Sequence, residues 1–575
     1  MDRLWEKVAA VFLPLPTAAD FIIEEFIDIN GNVQIDYDAV MPSDPQQKLQ
    51  NRSEGKNLQT LYCGIDIGTS STKAMIYTES LQGIFSVAKE YDFVMIQQDR
   101  AELNPDEIYD AVITCLRACQ QQAIFMGMPL SFIAFSAALH SFIAMDAYDR
   151  PLTNCITWAD MRAMEFNNVL RWYCKGLIYQ KTGCPGNAIY IPAKILWLQK
   201  YQPVLFDRVA KYVSIKEYVL RQLSGEWIVD YGIASGSGLL HLKSLQWDNE
   251  LLEELAITST QLSTLVDGPT IIPMQRGAIE AIGADIPLVV GSGDGPLANL
   301  AVGAYSSQQF VTTIGSSGAI RVLVKKPILD SKQRTWCYRL DGQTYIAGAA
   351  INNGGIVLKW LIENYLQEEM FKAEQQKKSI YETLNRYALE VPVGSNGLFF
   401  LPFLSGERSP DWNSMARGLI IGLGISHSKK ELVRAAMEGV VLRLYSNFLI
   451  LQDLVGKPKE IVVNGGFTRS QVWLQITANV FGKKLLFFKN TVNSTLGAVL
   501  MGLKAFRLID AYDQVNTRLH LKTVIRPDSK QSTEYVKIHR LYEKIYSYNK
   551  HIFKELQKLR ENNFDQSVDH TKILL

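Results

Sequence analysis

Asp66 stands in "YCGIDIGTSSTKAMIY" (Tyr62–Tyr77), where Tyr62, Cys63, Ile65 and Ile67 read as a short buried strand. A carboxylate in such a strand is costly unless something pairs with it. Gly68, Thr69, Ser70, Ser71, Thr72 and then Lys73 follow it. A tight glycine turn edged by hydroxyls offers converging N–H and O–H donors, which suits an anion such as a phosphate. Beside that turn, Asp66 would face a divalent cation carried by the phosphates, because Mg²⁺ keeps most of its waters and accepts one or two carboxylates. The bland alternative is an aspartate that organises the turn. The pattern recurs in "TTIGSSGAIR" (Thr312–Arg321), with Gly315, Ser316 and Ser317 in the turn and Thr313 in the place of Asp66. Two such turns on facing lobes could hold the phosphates of one nucleotide between them.

Asp294 is the second carboxylate of interest. It stands in "IPLVVGSGDG" (Ile286–Gly295), which reads as a buried strand ending in a glycine loop, and lies between two glycines. There a carboxylate can project into a cleft and take a proton from an attacking hydroxyl; a turn aspartate is the competing reading. In "NGGFTRSQVW", Gly465 and Gly466 separate a β-like run from a helical one, and glycines there let the backbone approach a flat ligand such as adenine. The chain has no GxxxxGK[ST], so it is not a P-loop protein, and "GSGDG" lacks the third glycine of a dinucleotide fingerprint.

The elements that must position these residues alternate between strand and helix. "LNPDEIYDAVITCLRACQQQA" predicts a helix capped by Asn104 with Pro105 at its first position. "SFIAFSAALHSFIAM" predicts two buried strands around a turn at His140, and "ELVRAAMEGVVLRLYSNFLILQDL" a long amphipathic helix. "EIVVNGGFTRSQVWLQITANVFG" predicts strand, glycine turn and helix; the charged tail after about His539 predicts a C-terminal helix. Residues 1–60 read as a separate extension without catalytic residues. They carry a hairpin signal at Asn30-Gly31 and a polar linker, "DPQQKLQNRSEGKNLQ".

Bulk properties set limits. The 575 residues allow two or more domains, and 47% hydrophobic with 20% charged residues is ordinary for a globular protein. A net charge of +1, with dispersed lysines and arginines, argues against nucleic acid or an anionic membrane as partner. No uncharged run reaches membrane-spanning length, the N-terminus is a poor signal peptide, and seven scattered cysteines suggest reduced thiols in a cytoplasmic compartment.

Taken together, the motifs resemble the FGGY carbohydrate kinases of the actin/Hsp70/sugar-kinase superfamily. "GIDIGTSSTKA" looks like the family's first phosphate motif, "TTIGSSGAI" the second and "VVNGGFTRSQVW" the adenosine motif. "GLIIGLGISHSKKELVRAAMEG" is similar to its C-terminal signature. Within the family, "FSAALHSFIAMD", "PLTNCITWADMRA" and "LPFLSGERSPDWNSMARG" look most like gluconate kinases. The resemblance implies an α/β fold of two ribonuclease H-like lobes flanking a nucleotide cleft: an N-terminal lobe over 61–304, a C-terminal lobe over 305–545 and a tail over 546–575. It implies ATP and Mg²⁺, with a sugar or sugar acid as the acceptor, most of all D-gluconate. Asp294 would be the catalytic base and Asp66 the Mg²⁺-associated residue. Gly68, Thr69, Ser70, Lys73, Gly315, Ser316 and Ser317 would face phosphates, and Gly465 and Gly466 the adenosine. His140, Trp158, Asp160 and Arg162 lie where family members line the sugar pocket. Arg162 could read a substrate carboxylate through two bonds or form a salt bridge to Asp160. Alternatives are another FGGY kinase, such as one acting on xylulose, or a non-catalytic ATP-binding sensor on the same fold. A homodimer is compatible with the sequence. Four residues depart from the family pattern: Ile191 one place before Pro192, Phe467, Asn479 and Asn493.

Overall fold

The computed structural model describes residues 25–27, 33–35, 60–94, 100–487, 493–515 and 523–559. The chain divides into two units, Met1–Gln59 and Thr60–Leu575. In the first, strands Glu25–Ile27 and Val33–Ile35 pair antiparallel with Ile27 opposite Val33. This is the pairing that a hairpin around Asn30-Gly31 demands; that turn and the polar linker lie outside the described residues.

In the second unit, each hydroxyl turn joins the first two strands of a sheet. β1 (Leu61–Ile67) turns through Gly68–Ser70 into β2 (Ser71–Tyr77), which pairs on with β3 (Gly83–Glu90). Helix α1 (Pro105–Met126) starts as its sequence predicts, with Asn104 Oδ1 accepting from the Asp106 and Glu107 amides. It leads into β4 (Leu130–Ala137), which lies parallel to β1. Helix α2 (Ile191–Tyr201) follows, and β5 (Ile271–Ile272) and β6 (Leu288–Gly293) complete the sheet in the order β5-β6-β4-β1-β2-β3. Helix α3 (Asp294–Ala301) follows β6 at once.

The second lobe repeats the plan. β7 (Gln309–Ile314) and β8 (Gly318–Val324) flank the second hydroxyl turn, followed by β9 (Trp336–Asp341), β10 (Thr344–Ile351) and helix α4 (Ile356–Tyr365). Helix α5 (Lys429–Val455) leads to β11 (Glu460–Asn464), helix α6 (Gln471–Phe481) and β12 (Leu485–Phe487). After helix α7 (Ser494–Ala505) come β13 (Thr523–Ile525) and helix α8 (Ser529–Asn549). The sheet order is β9-β10-β8-β7-β11-β12-β13. Five strands in each sheet share one topology, β3-β2-β1-β4-β6 matching β10-β8-β7-β11-β12, each with three antiparallel neighbours and then two parallel additions. The Asp66 and Thr313 segments therefore occupy equivalent places in two ribonuclease H-like lobes.

Three elements differ from the sequence reading. The loop expected after β6 is absent: Gly293 is still extended (φ −71°, ψ 153°) and Asp294 is already the first helical residue. Helix α5 is not amphipathic but buried around most of its length, from Val433 through Leu444, because the sheet, α6 and the helix Ile380–Glu390 cover it on several sides. Helix α8 begins at Ser529, well before His539, and its Tyr535, His539, Tyr542 and Tyr546 form a buried stripe against the C-terminal core. Chain order and packing also part company at α7. This late helix lies on the N-terminal sheet and against α3, with Gly497 so close to Leu297 that a Cβ would sit 2.0 Å from its carbonyl oxygen. An apolar cluster built from both lobes includes Phe132, Leu297, Trp336, Tyr338 and Leu500.

Candidate active site

Turns, loops and strand ends of the two lobes line a cleft of about 290 Å³. From the N-terminal lobe it is lined by Thr69, His140, Trp158 and Asp294, and from the C-terminal lobe by Thr313, Gly315, Ser317, Arg321 and Arg408. Both hydroxyl turns thus reach one space.

The first turn is held shut by its own backbone, with the Gly68 amide donating to Ser71 O at 3.0 Å and Tyr91 donating to Gly68 O at 2.7 Å. Ser70 and Lys73 are exposed beside it, and Lys73 lies directly across from Asp66 in the β1–β2 register. Asp66 accepts from Ser136 Oγ at 2.6 Å. Burial pushes its carboxyl above the usual carboxylate range, opposed by bonds from Ser136 and Ser494 and by the Lys73 charge. Asp66 is thus oriented by hydroxyls, enclosed, and without an ion pair of its own among the described residues. One carboxylate flanked by hydroxyls suits the sparse protein ligation that Mg²⁺ takes.

The second turn closes the same way and adds a helix end. The Gly315 amide donates to Ser317 O at 2.9 Å, while the Gly354 and Ile356 amides at the start of α4 donate to Ser316 O. Parallel pairing of β7 with β11 sets Thr313 opposite Asn464, so Gly465 and Gly466 emerge beside this turn. Gly465 has φ +102°, and a Cβ there would lie 2.4 Å from Ile314 O; Gly466 has open space on that side.

Asp294 is fixed by its place at the start of α3, where its Oδ1 accepts from the Gly295 amide at 2.7 Å. Burial, and next the Asp66 charge, raise its carboxyl to about 6, against the Gly295 bond and the Arg321 charge. A carboxylate tuned to that value is still ionised at neutral pH and is a better proton acceptor than an ordinary one.

The four residues expected on the sugar side separate into two groups. His140 and Trp158 line the cleft. His140 has φ +67°, and its Nδ1 lies 2.8 Å from Gly236 O, so Nδ1 carries the proton and Nε2 is left as an acceptor. Burial lowers its pKa to about 3, keeping the ring neutral. Asp160 and Arg162 form a knot outside the cleft lining. Arg162 Nε donates to Asp160 Oδ1 at 2.8 Å, its Nη2 binds both Asp160 and Glu102, and its guanidinium lies over the Trp197 ring at 5.0 Å. Asp160 also accepts from the Ala101 amide at 2.8 Å. Of the two roles open to Arg162, the salt bridge is the one it makes.

Sequence reasoning passed over Arg321 and Arg408, although both lie inside segments singled out for other reasons. Arg321 is the last residue of "TTIGSSGAIR", and Arg408 sits in "LSGERSP". It also missed Lys194, whose buried ammonium donates to His140 O at 2.6 Å and Thr157 O at 3.2 Å and ties the two sugar-side segments together. The departures from the family pattern fall on structural positions. Asn479 binds the start of α8 through the Asp528 amide at 2.8 Å, and Phe467 packs edge-on against Trp473.

Known proteins match this arrangement along most of the chain. Residues 61–301 match the N-terminal domain of the FGGY family of carbohydrate kinases, and residues 310–506 its C-terminal domain. A gluconokinase of Bacillus subtilis (strain 168) is 37% identical over 520 residues, covering 89% of this chain and 98% of that protein. The crystal structure of a gluconate kinase from Lactobacillus acidophilus superposes with a TM-score of 0.81 at 31% identity, over 87% of this chain and 100% of the other. A ligand-bound xylulose kinase from the same organism gives 0.81 at 31% identity, over 86% and 100%. Among the described residues no helix is long and apolar enough to cross a membrane.

Proposed function

The chain belongs to the FGGY family of carbohydrate kinases, and from that premise we propose that it transfers the γ-phosphoryl group of ATP to the primary hydroxyl of D-gluconate, giving ADP and 6-phospho-D-gluconate. The observation that carries the chemistry is Asp294, raised to about 6 in the cleft that both hydroxyl turns reach. The choice of gluconate is supported by the 37% identity to the Bacillus gluconokinase over nearly the whole of both chains.

In this reading the acceptor lies against Trp158 and His140, whose bare Nε2 accepts from a sugar hydroxyl. Asp294 accepts the proton of the C6 hydroxyl as its oxygen attacks the γ-phosphorus in line and the β–γ bridging bond breaks. Thr69 and Ser70 on one side, and Gly315, Ser316 and Ser317 on the other, hold the polyphosphate through N–H and hydroxyl donors, with Lys73 adding positive charge. Gly465 and Gly466 let the adenosine approach the backbone. Asp66 would hold Mg²⁺, which when bound offsets charge on the phosphate oxygens. Closure of the lobes excludes water that would otherwise compete for the phosphoryl group.

Product identification tests the reading. Incubation with MgATP and gluconate should give a monophosphate carried on C6, seen by phosphorus NMR and mass spectrometry. Phosphate on another carbon, or ATP consumed without a sugar phosphate, would contradict it.

A further inference from the structure

Arg162 is ion-paired with Asp160 and Glu102 and lies outside the cleft lining, so a sugar acid in the cleft must find its counter-charge elsewhere. Among the described residues that line the cleft, the arginines are Arg321 and Arg408, both from the C-terminal lobe. Arg321 makes one hydrogen bond, Nη1 to Thr313 Oγ1 at 3.1 Å. Arg408 donates from Nη2 to Ile351 O at 3.1 Å, stands 5.4 Å from the Trp158 ring centre, and leaves its Nε buried without a partner. Neither forms an ion pair among the described residues.

Two enclosed guanidinium groups that feel Asp294, and for Arg408 also Glu407, only at a distance and form no ion pair with them are an expensive arrangement, because each loses hydration. Burial lowers the pKa of both, Arg321 to about 10. An anion placed between them relieves both costs, and a carboxylate accepts two bonds from a guanidinium fork. The polyphosphate already has the two turns. Arg321 holds Thr313 Oγ1 through Nη1, with its Nε beside Gly295 next to Asp294, and Arg408 lies over Trp158.

We propose that Arg321, assisted by Arg408, binds the carboxylate of the acid substrate, so that the acid is recognised from the C-terminal lobe while Asp294 and His140 hold its hydroxyls from the N-terminal lobe. This rests on the gluconate reading above. It makes the substrate itself a bridge across the cleft and makes discrimination between acids and neutral sugars a property of β8 rather than of the Asp160–Arg162 knot.

The test compares D-gluconate with D-gluconamide, a neutral counterpart of the same carbon chain, in the wild type and Arg321→Met. A charge-assisted bond contributes enough that its loss should cut the gluconate-to-gluconamide ratio of kcat/KM by roughly 10- to 100-fold, mainly through the KM for gluconate, with the KM for ATP within about twofold. An equal loss on both substrates, or a matching rise in the KM for ATP, overturns the assignment in favour of a phosphoryl-side or structural role. Arg321→Lys, which keeps the charge and loses the fork, should fall between; it gives the same reading if Arg321→Met does not fold. A wild type that phosphorylates gluconate poorly would refute the substrate reading itself, whereas a gluconate-specific wild type with an unchanged ratio in Arg321→Met refutes only this inference.

Discussion

Replacing Asp294 with asparagine should inactivate the enzyme and stabilise its fold, and the two effects come from the same burial. A rise from the ordinary 3.8 to about 6 corresponds to about 3 kcal/mol between the two protonation states. The sign follows from linkage. Below pH 4 the carboxyl is protonated in both folded and unfolded chains, and no cost arises. Between about 4 and 6 the unfolded chain ionises while the folded one resists, so stability falls as pH rises, and above about 6 the full cost is present. Asparagine keeps an acceptor for the Gly295 amide, 2.7 Å away in the parent, without the buried charge. The ligand-free variant should therefore melt several degrees above the parent at pH 7, with the gain vanishing near pH 4. Loss of a general base costs about 10²- to 10⁴-fold in rate, or about 3–5 kcal/mol of barrier, so kcat should fall by that much while ATP still binds. Melting curves at the two pH values, an ADP-release assay and ATP titration cover all three points. A variant with near-normal kcat, or one equally stabilised at pH 4 and pH 7, would refute the reasoning.

Other substitutions separate the remaining roles. Asp66→Asn should raise the Mg²⁺ concentration needed for half-maximal activity about tenfold or more and move the acid limb of kcat/KM to lower pH, because Asp294 loses a neighbouring negative charge; an unchanged metal response would leave Asp66 a turn residue. Gly465→Ala puts a side chain at φ +102° and 2.4 Å from Ile314 O, a strain of about 1–3 kcal/mol, and should weaken ATP binding more than gluconate binding, read by titration. Arg162→Ala strands the enclosed Asp160 and Glu102 carboxylates and should lower stability by about 3 kcal/mol in denaturant titration. The gluconate-to-gluconamide ratio should stay where it is.

The parts legible in the sequence are those where local chemistry and fold agree. The two hydroxyl turns, the Asn104-capped helix and the β11–Gly465–α6 passage each carry their signal within about ten residues, and each folds as read. Asp294 was legible as a residue but not in its setting, since nothing in "GSGDG" says that a helix starts on the aspartate itself. The Tyr535–Tyr546 stripe and the crossing of α7 onto the N-terminal sheet depend on partners far along the chain, so periodicity alone could not assign a face or a lobe. Arg162 misled for the same reason. The family resemblance placed it at the pocket with a salt bridge to Asp160 as the alternative, and Glu102, sixty residues earlier, joins Asp160 in holding its guanidinium. Arg321 shows the converse: it ends the second hydroxyl-turn motif, and the role proposed for it rests on its having no ion pair among the described residues.

The central claim is that this cleft phosphorylates a sugar acid, and its most direct test is kcat/KM for ADP release across a panel of D-gluconate, D-xylulose, glycerol and neutral hexitols at saturating MgATP. The account predicts that gluconate leads the panel by at least an order of magnitude and that no substrate supports turnover in Asp294→Asn. Preference for xylulose or another neutral sugar, or ADP release that no sugar stimulates, would contradict it.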